Sequence, residues 1–392
     1  SVAMQPKLLL ITPPFTQLNT PYPATAYLKG FLESKGVKAD QADLSIELFT
    51  SIFTREFLSQ VFQETTQIHD LEYSEVLKSK NLYLNRVEEV VFFLQHSSIE
   101  VANKLLTPNY FPYGHRVSQI NPFIDWEQGE KGIIDKAKHY GTLFIEEIGD
   151  FIKANVDEFF SFTRYAEQIS SSASSFDELD EFLQTEPSLI EHQLFDLLEE
   201  KIENSEPDLV CFTVPFPGNL FAALRSGQFI KQFYPKIKIA VGGGYCNTEL
   251  RSLQDSRVFD YVDFITLDDG EAPLLKLVEY IGGNINDEEL ERTFMLKNSE
   301  VVYQNKIPNT IFHHSKLPAP DYSGLLFKKY ISFLDVVNPM HRMWTDEKWN
   351  KLTISHGCYW KQCSFCDVNL DYIGNYKNPT AEDLVNKMEK IS

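Results

Sequence analysis

The sequence predicts an α/β fold built on a doubly wound parallel sheet, and three observations predict it. Short apolar runs bounded by turn residues alternate with helix-period segments. Strand, helix and strand follow one another at βαβ spacing near the amino end, and again beyond residue 207. Between the two blocks lies a long stretch of helix-period sequence with no repeat, which marks a large helical insertion. The chain has 392 residues, enough for two or more domains and a large core.

The first strand is read at Lys7 to Thr12 and is closed by Pro13 and Pro14. A helix from Ala24 to Ser34 ends at Gly36, and the second strand runs from Val37 to Asp43. From about Ile46 to Glu203 the pattern is helical, with helices expected over Leu48 to Phe62, Val87 to Leu106, Ile133 to Ala154 and Leu189 to Ile202. Pro108 to Pro122 and the serine-rich 170–175 stretch read as loops. Five histidines fall singly here (His69, His96, His115, His139 and His192), and each reads as an ordinary exposed or hydrogen-bonded side chain.

The α/β pattern resumes with a strand at Asp208 to Val214, a turn from Pro215 to Asn219 and a helix from Leu220 to Phe233. A strand at Lys238 to Val241 ends in Gly242-Gly243-Gly244. A further strand, Tyr261 to Thr266, leads through Asp268-Asp269-Gly270-Glu271 into a helix from Ala272 to Tyr280. Arg292 to Asn305 alternates as a hairpin with Asn298-Ser299 at its turn, and Lys306 to Asn350 reads as a proline-bearing linker crossing between domains. A helix is expected from Thr380 to Ile391, with Thr380 as N-cap. The boundaries are therefore 4–45 and 204–290 for a Rossmann-like domain, 46–203 for the insertion, 291–350 for hairpin and linker, and 351–392 for the start of a further unit. Ligands of such sheets bind outside the carboxyl ends of the strands.

Composition is ordinary for a soluble protein, with 43% hydrophobic and 23% charged residues. The formal charge of −20 argues against a nucleic-acid phosphate backbone and against an anionic membrane surface. No apolar run approaches the roughly 20 residues of a membrane span. Only five cysteines occur, three of them clustered, which fits a reducing cytoplasm.

Those three are Cys358, Cys363 and Cys366, spaced C-x4-C-x2-C on a loop that follows the strand-like run Lys351 to Ser355. Three thiolates suit a four-iron cluster with one iron left open. His356 could instead complete a closed Cys₃His zinc site, and disulfides or inert thiols are the remaining alternative.

The loop is similar to the cluster loop of the radical S-adenosylmethionine (SAM) enzymes. Their most frequent spacing is C-x3-C-x2-C, with an aromatic residue before the last cysteine, and Phe365 fills that place. The first gap here is one residue longer, as in members whose loop reads Gly-Cys-Tyr-Trp, which stands here at Gly357 to Trp360. The resemblance implies a 4Fe–4S cluster on Cys358, Cys363 and Cys366, SAM chelating the open iron, and Phe365 near the adenine. Residues 351–392 would then be the first βα unit of a partial (β/α) barrel. Such a barrel takes roughly 150–200 residues, so the chain is expected to be the amino-terminal part of a longer protein, inactive alone.

The order Thr213-x-Pro215 with Gly218-Asn219, then Gly242-Gly243-Gly244, then Asp269-Gly270-Glu271 resembles the cobalamin-binding domain that precedes the radical SAM domain in a large class of these enzymes. The resemblance covers 7–45, 207–282 and 318–392, with 46–203 outside it. It implies cobalamin contacts at Thr12, Pro13, Asp43, Thr213, Pro215, Gly218, Asn219, Gly242, Gly243, Gly244, Tyr245, Asp269, Gly270 and Glu271. Many such domains carry Asp-x-His-x-x-Gly, whose histidine ligates cobalt. No such motif occurs here, and the corresponding loop from Pro13 to Pro23 holds no histidine. The implied reaction is methylation of an unactivated carbon through a 5′-deoxyadenosyl radical. Ring formation or rearrangement is the alternative, and a cobalamin- or nucleotide-binding module with a zinc knuckle is the non-catalytic one. The expected partners are a small-molecule or peptide substrate and an electron donor of flavodoxin or ferredoxin type.

Overall fold

The computed structural model describes residues 4–161, 176–249, 255–268, 270–306, 310, 312, 316–334 and 380–391. The cysteine loop, with Cys358, Cys363, Phe365 and Cys366, lies outside these residues, as does Asp269.

One seven-stranded sheet carries the described chain, in the order β2-β1-β3-β4-β5-β6-β7. Its parallel part consists of β1 (Leu8–Thr12), β2 (Ala39–Asp43), β3 (Leu209–Thr213), β4 (Lys238–Gly242) and β5 (Phe264–Thr266). All five residues of β1 and of β3 are buried, as befits parallel strands covered on both faces. The hairpin β6 (Thr293–Lys297) and β7 (Glu300–Gln304) joins the same sheet, β6 pairing antiparallel with β5. Its turn residues Asn298 and Ser299 have φ of 53° and 64°, the left-handed pair that a two-residue hairpin loop requires. The hairpin, read with the linker from sequence, is thus two strands of the main sheet.

The first helix, α1 (Ala24–Ser34), matches the sequence reading, and Gly36 beyond it has φ +76°. The insertion begins with α2 (Leu44–Ile52) and α3 (Arg55–Thr65), where one helix over Leu48 to Phe62 was expected. Thr54 breaks it, because its hydroxyl accepts the Phe57 N–H and starts a new helix. After the short α4 (Ser74–Lys78), the helix expected over Val87 to Leu106 is likewise two, α5 (Lys80–His96) and α6 (Ile99–Leu105). Ser97 there adopts φ +53° and Ser98 caps α6. The long α7 (Glu130–Asn155) follows, then α8 (Phe176–Leu183) and α9 (Leu189–Ser205), the last opened by a Ser188/Glu191 capping box. Helix α10 (Pro217–Phe233) starts earlier than expected, with Pro217 at its first position, so Gly218 and Asn219 belong to the helix and not to a turn. Helices α11 (Gly244–Glu249), α12 (Glu271–Ile281) and α13 (Ala381–Ile391) complete the set among the described residues.

Two cores sandwich the sheet. One joins Leu8, Leu10, Leu209, Cys211 and Ala240 of the strands to Phe31 and Leu32 of α1 and Leu274, Leu277 and Val278 of α12. The other joins Leu9, Ile11, Val210, Phe212, Ile239 and Val241 to α10 and to the insertion, reaching Phe49, Phe93, Phe144 and Phe151 without a break. Segment 46–203 is therefore an elaboration of one sheet face that shares its core. Arg225 of α10 is buried and meets Glu191 at 3.0 Å, while its guanidinium also donates to the Leu183 carbonyl, so α8, α9 and α10 are tied together. No helix among the described residues is long and apolar enough to cross a membrane.

The described part of the linker is a strap. Gln41 Nε2 of the edge strand β2 donates to the Asp321 and Ser323 carbonyls at 2.6 and 2.8 Å. Farther along, the Ile331 and Ser332 N–H groups bond the Leu18 and Leu94 carbonyls, and the Leu334 N–H bonds the Thr142 hydroxyl of α7.

Candidate functional site

On the face bearing α1 and α12, strands β3 and β4 have no helix of their own among the described residues. The β3–β4 crossover, α10, and the β4–β5 connection, with Cys246, Val258 and Phe259, pack on the opposite face. The gap is a slot of about 290 Å³ at the carboxyl end of the sheet. Its walls are Tyr27 and Leu28 of α1 and Leu274 of α12, and its floor includes Cys211, Thr213, Ala240, Gly242 and Thr266. The floor is deep because its alternate positions carry small side chains. A strand turns every second residue to the same face, and on that face β3 and β4 present Cys211, Thr213, Ala240 and Gly242. Burial pushes the Cys211 thiol well above its usual range, so it stays protonated and acts as a small apolar group.

Six of the residues expected from sequence line the slot, namely Thr213, Gly242, Gly243, Gly244, Gly270 and Glu271. The glycines are not equivalent. A Cβ at Gly242 would lie 2.6 Å from the Thr266 hydroxyl oxygen, and Gly243 has φ +117° with the Val214 backbone 2.8–2.9 Å from any Cβ. Both are required by the chain's own packing. At Gly244 the nearest atom to a Cβ among the described residues is the Pro215 carbonyl oxygen at 3.8 Å, so packing of the described residues leaves room for a side chain there.

The remaining expected residues lie elsewhere. Asp43 is a buried helix cap, accepting the Ser45 N–H at 3.0 Å and the Tyr330 hydroxyl at 2.5 Å, so the slot does not include it. Thr12 and Pro13 are buried at the end of β1, and the Pro13 carbonyl accepts from Asn219 Nδ2 at 3.0 Å. Gly218 and Asn219 are buried in the first turn of α10. The Tyr245 N–H bonds the Val214 carbonyl at 3.1 Å, and Pro215 stands at the rim beside Gly244. Tyr27, Leu28, Cys211, Ala240, Thr266 and Leu274 are lining residues that sequence reasoning missed, while Asp268 lies in a strand-end loop it had selected. The alternating small residues of β3 and β4 were the signal available for the floor. The walls depend on helix placement and left none.

Polar atoms are left over outside the slot lining, where β1, α1 and α10 meet. Thr12 Oγ1, Thr25 Oγ1 and Asn219 Oδ1 are fully buried and have no hydrogen-bond partner. They come from the end of β1 and from the first turns of α1 and α10, the three elements around the crevice between β1 and β3. There the strand order reverses, the place where sheets of this kind bind ligands. Unpaired buried oxygens each cost about 1–3 kcal/mol unless a ligand or water completes them. Among the described residues no group of three or more histidine, cysteine or carboxylate side chains is placed to hold a metal ion.

No family model matches the sequence, and no curated protein matches it. Among solved structures, the cobalamin-dependent S-adenosylmethionine radical enzyme OxsB with aqua-cobalamin bound is 17% identical, over 50% of this chain and 25% of that one, with a TM-score of 0.36. The same enzyme with aqua-cobalamin and S-adenosylmethionine bound gives the same values. The radical S-adenosylmethionine methyltransferase TsrM from Kitasatospora setae, with cobalamin and a 4Fe–4S cluster bound, is 11% identical over 99% of this chain and 46% of that one, with a TM-score of 0.41. The chain thus spans less than half the length of either protein. The solved structures found similar to this chain are cobalamin-dependent radical SAM enzymes, at low identity and low TM-score.

Proposed function

We propose that the chain is the cofactor-binding part of a cobalamin-dependent radical SAM enzyme, and that the reaction is methyl transfer to an unactivated carbon. The observation that carries this reading is the pairing, in one chain, of the slot at the carboxyl end of a parallel sheet with the C-x4-C-x2-C loop that follows it. When bound, cobalamin would supply a methyl carrier, and the cluster with SAM would supply one-electron chemistry.

The residues present fit these groups. About 290 Å³ lies at the low end of ligand cavities, which run from roughly 300 to 1,000 Å³. The slot takes one flat limb of a large cofactor and leaves its bulk at the mouth. Cys211, Ala240 and Leu274 provide apolar walls for that limb, Thr213 and Thr266 provide hydroxyls, and the open flank of Gly244 lets backbone come close. Cys358, Cys363 and Cys366 are the donors for the cluster, and three thiolates are what a cluster with an open iron requires. Phe365 is proposed beside the SAM adenine. The reading also calls for a one-electron donor of flavodoxin or ferredoxin type.

Anaerobic reconstitution with iron and sulfide tests it. The reading expects iron and sulfide in equal amounts, lost on replacing any of the three cysteines by alanine, and one cobalamin retained per chain on equilibrium dialysis. Bound zinc with no iron, or no retained cobalamin, overturns it.

A further inference from the structure

Phe216 breaks two local rules at once. It occupies the N-cap position of α10, where Ser, Thr, Asp or Asn is favoured, and it caps no N–H group. The residue is also 52% exposed, whereas most other large apolar side chains among the described residues fill two cores. Residues that break local rules without a packing gain mark functional positions.

The position of the ring explains the exception. Tyr22, from the loop between β1 and α1, meets Phe216 edge-on with ring centroids 6.3 Å apart and planes at 66°. Two residues after Tyr22, Ala24 is part of the slot lining. On the other side, Pro215 is the nearest neighbour of the open flank of Gly244, which also lines the slot. The Tyr22–Phe216 pair is therefore attached to the slot's border through Ala24 and Pro215, across the crevice between β1 and β3, with neither ring in the lining itself. The five histidines among the described residues all belong to the insertion, and none lies in the loops of this rim.

We infer that Phe216, buttressed by Tyr22, is an aromatic platform that carries the flat face of the cofactor whose limb enters the slot. This inference rests on the cobalamin reading above and adds to it the surface on which the macrocycle lies. A corrin is a broad, largely apolar ring. An exposed phenylalanine held edge-on by a second ring offers it a rigid contact at little entropic cost.

The test uses two probes on the full chain, cobalamin and cobinamide, the latter having the macrocycle without the nucleotide limb. Binding is read by equilibrium dialysis. Phe216→Ala weakens both probes about tenfold, and Phe216→Trp restores both. Ala240→Leu, which fills the slot, weakens cobalamin and leaves cobinamide unchanged. The exposed position predicts an unchanged urea midpoint for both Phe216 variants. Phe216→Ala binding both probes within about twofold of the unaltered chain overturns the platform. No binding of cobalamin by the unaltered chain is a separate result, and it overturns the cobalamin reading and the platform together.

Discussion

The Tyr330 hydroxyl donates to the Asp43 carboxylate at 2.5 Å, joining residues 287 positions apart in the chain. Both side chains are buried. Asp43 also caps α2 at the end of β2, and Tyr330 belongs to the strap that crosses from the sheet edge to the insertion. One carboxylate thus ends a strand, starts a helix and anchors the strap. Removing the hydroxyl leaves a buried carboxylate one donor short. Tyr330→Phe is expected to lower stability by about 2 kcal/mol, measured by urea denaturation at pH 7. Hydrogen exchange should rise at the Ile331 and Ser332 amides while the α12 amides keep their protection.

The same carboxylate sets a pH dependence. Burial pushes Asp43 up to about 6 from its ordinary 3.8, and the neighbouring Glu47 carboxylate adds to the shift. The hydrogen bonds from Tyr330 and the Ser45 N–H pull the other way, and Lys201 offsets Glu47 at 2.7 Å. Between pH 3.8 and about 6 the folded chain binds a proton that the unfolded chain has lost. Stability from this group is therefore complete below that window and falls as pH rises through it, by about 3 kcal/mol at most. Asp43→Asn keeps a capping oxygen and has no charge to bury. The difference in unfolding free energy between the variant and the unaltered chain should grow in the variant's favour from pH 4 to pH 7. A constant difference would show that Asp43 titrates at its ordinary value.

The glycine run separates packing from ligand approach. Gly243→Ala places a Cβ against the Val214 backbone at a φ of +117°, so a loss of about 2 kcal/mol or more is expected in thermal or urea unfolding. Among the described residues Gly244→Ala meets nothing nearer than 3.8 Å, and it should stay within about 0.5 kcal/mol of the unaltered chain. If the slot mouth takes a cofactor, Gly244→Ala nonetheless weakens cobalamin retention, which dialysis would detect.

Much of the sheet was legible because parallel strands buried on both faces leave a plain mark, as in Leu8 to Ile11 and Leu209 to Phe212. The turn at Asn298-Ser299 was legible because few residues tolerate a positive φ. The helix breaks at Thr54 and Ser98 were not. Each is decided by one side-chain hydrogen bond that competes with a continuing apolar pattern. Gly242 to Gly244 and Thr213 were found at the slot through the rule that ligands gather at strand ends. That rule also selected Asp43, which the structure uses as a cap, because sequence cannot show that Tyr330 reaches it from 287 positions away. The slot itself arises from where the described helices α1, α10 and α12 stand about the sheet, a property of topology that no local window contains.

The insertion is held to the sheet by an ion pair that sequence pattern does not reveal. Arg225 and Glu191 meet at 3.0 Å with side chains 2% and 7% exposed, and Arg225 also bonds the Leu183 and Phe182 carbonyls at the end of α8. Burial pushes the Glu191 carboxyl upward, and the guanidinium offsets this. Breaking the pair by Arg225→Ala strands a buried carboxylate and takes one donor each from the Leu183 and Phe182 carbonyls, so a loss of about 3–5 kcal/mol is expected. The double variant Arg225→Met, Glu191→Met removes both charges and should recover most of that loss, since an apolar pair of similar volume has no desolvation cost. Urea denaturation of these chains decides it. Glu191→Met alone, which also removes the capping box of α9, gives the baseline. A double variant as unstable as Arg225→Ala beyond that baseline would mean that the carbonyls of α8, rather than the carboxylate, are what Arg225 chiefly serves.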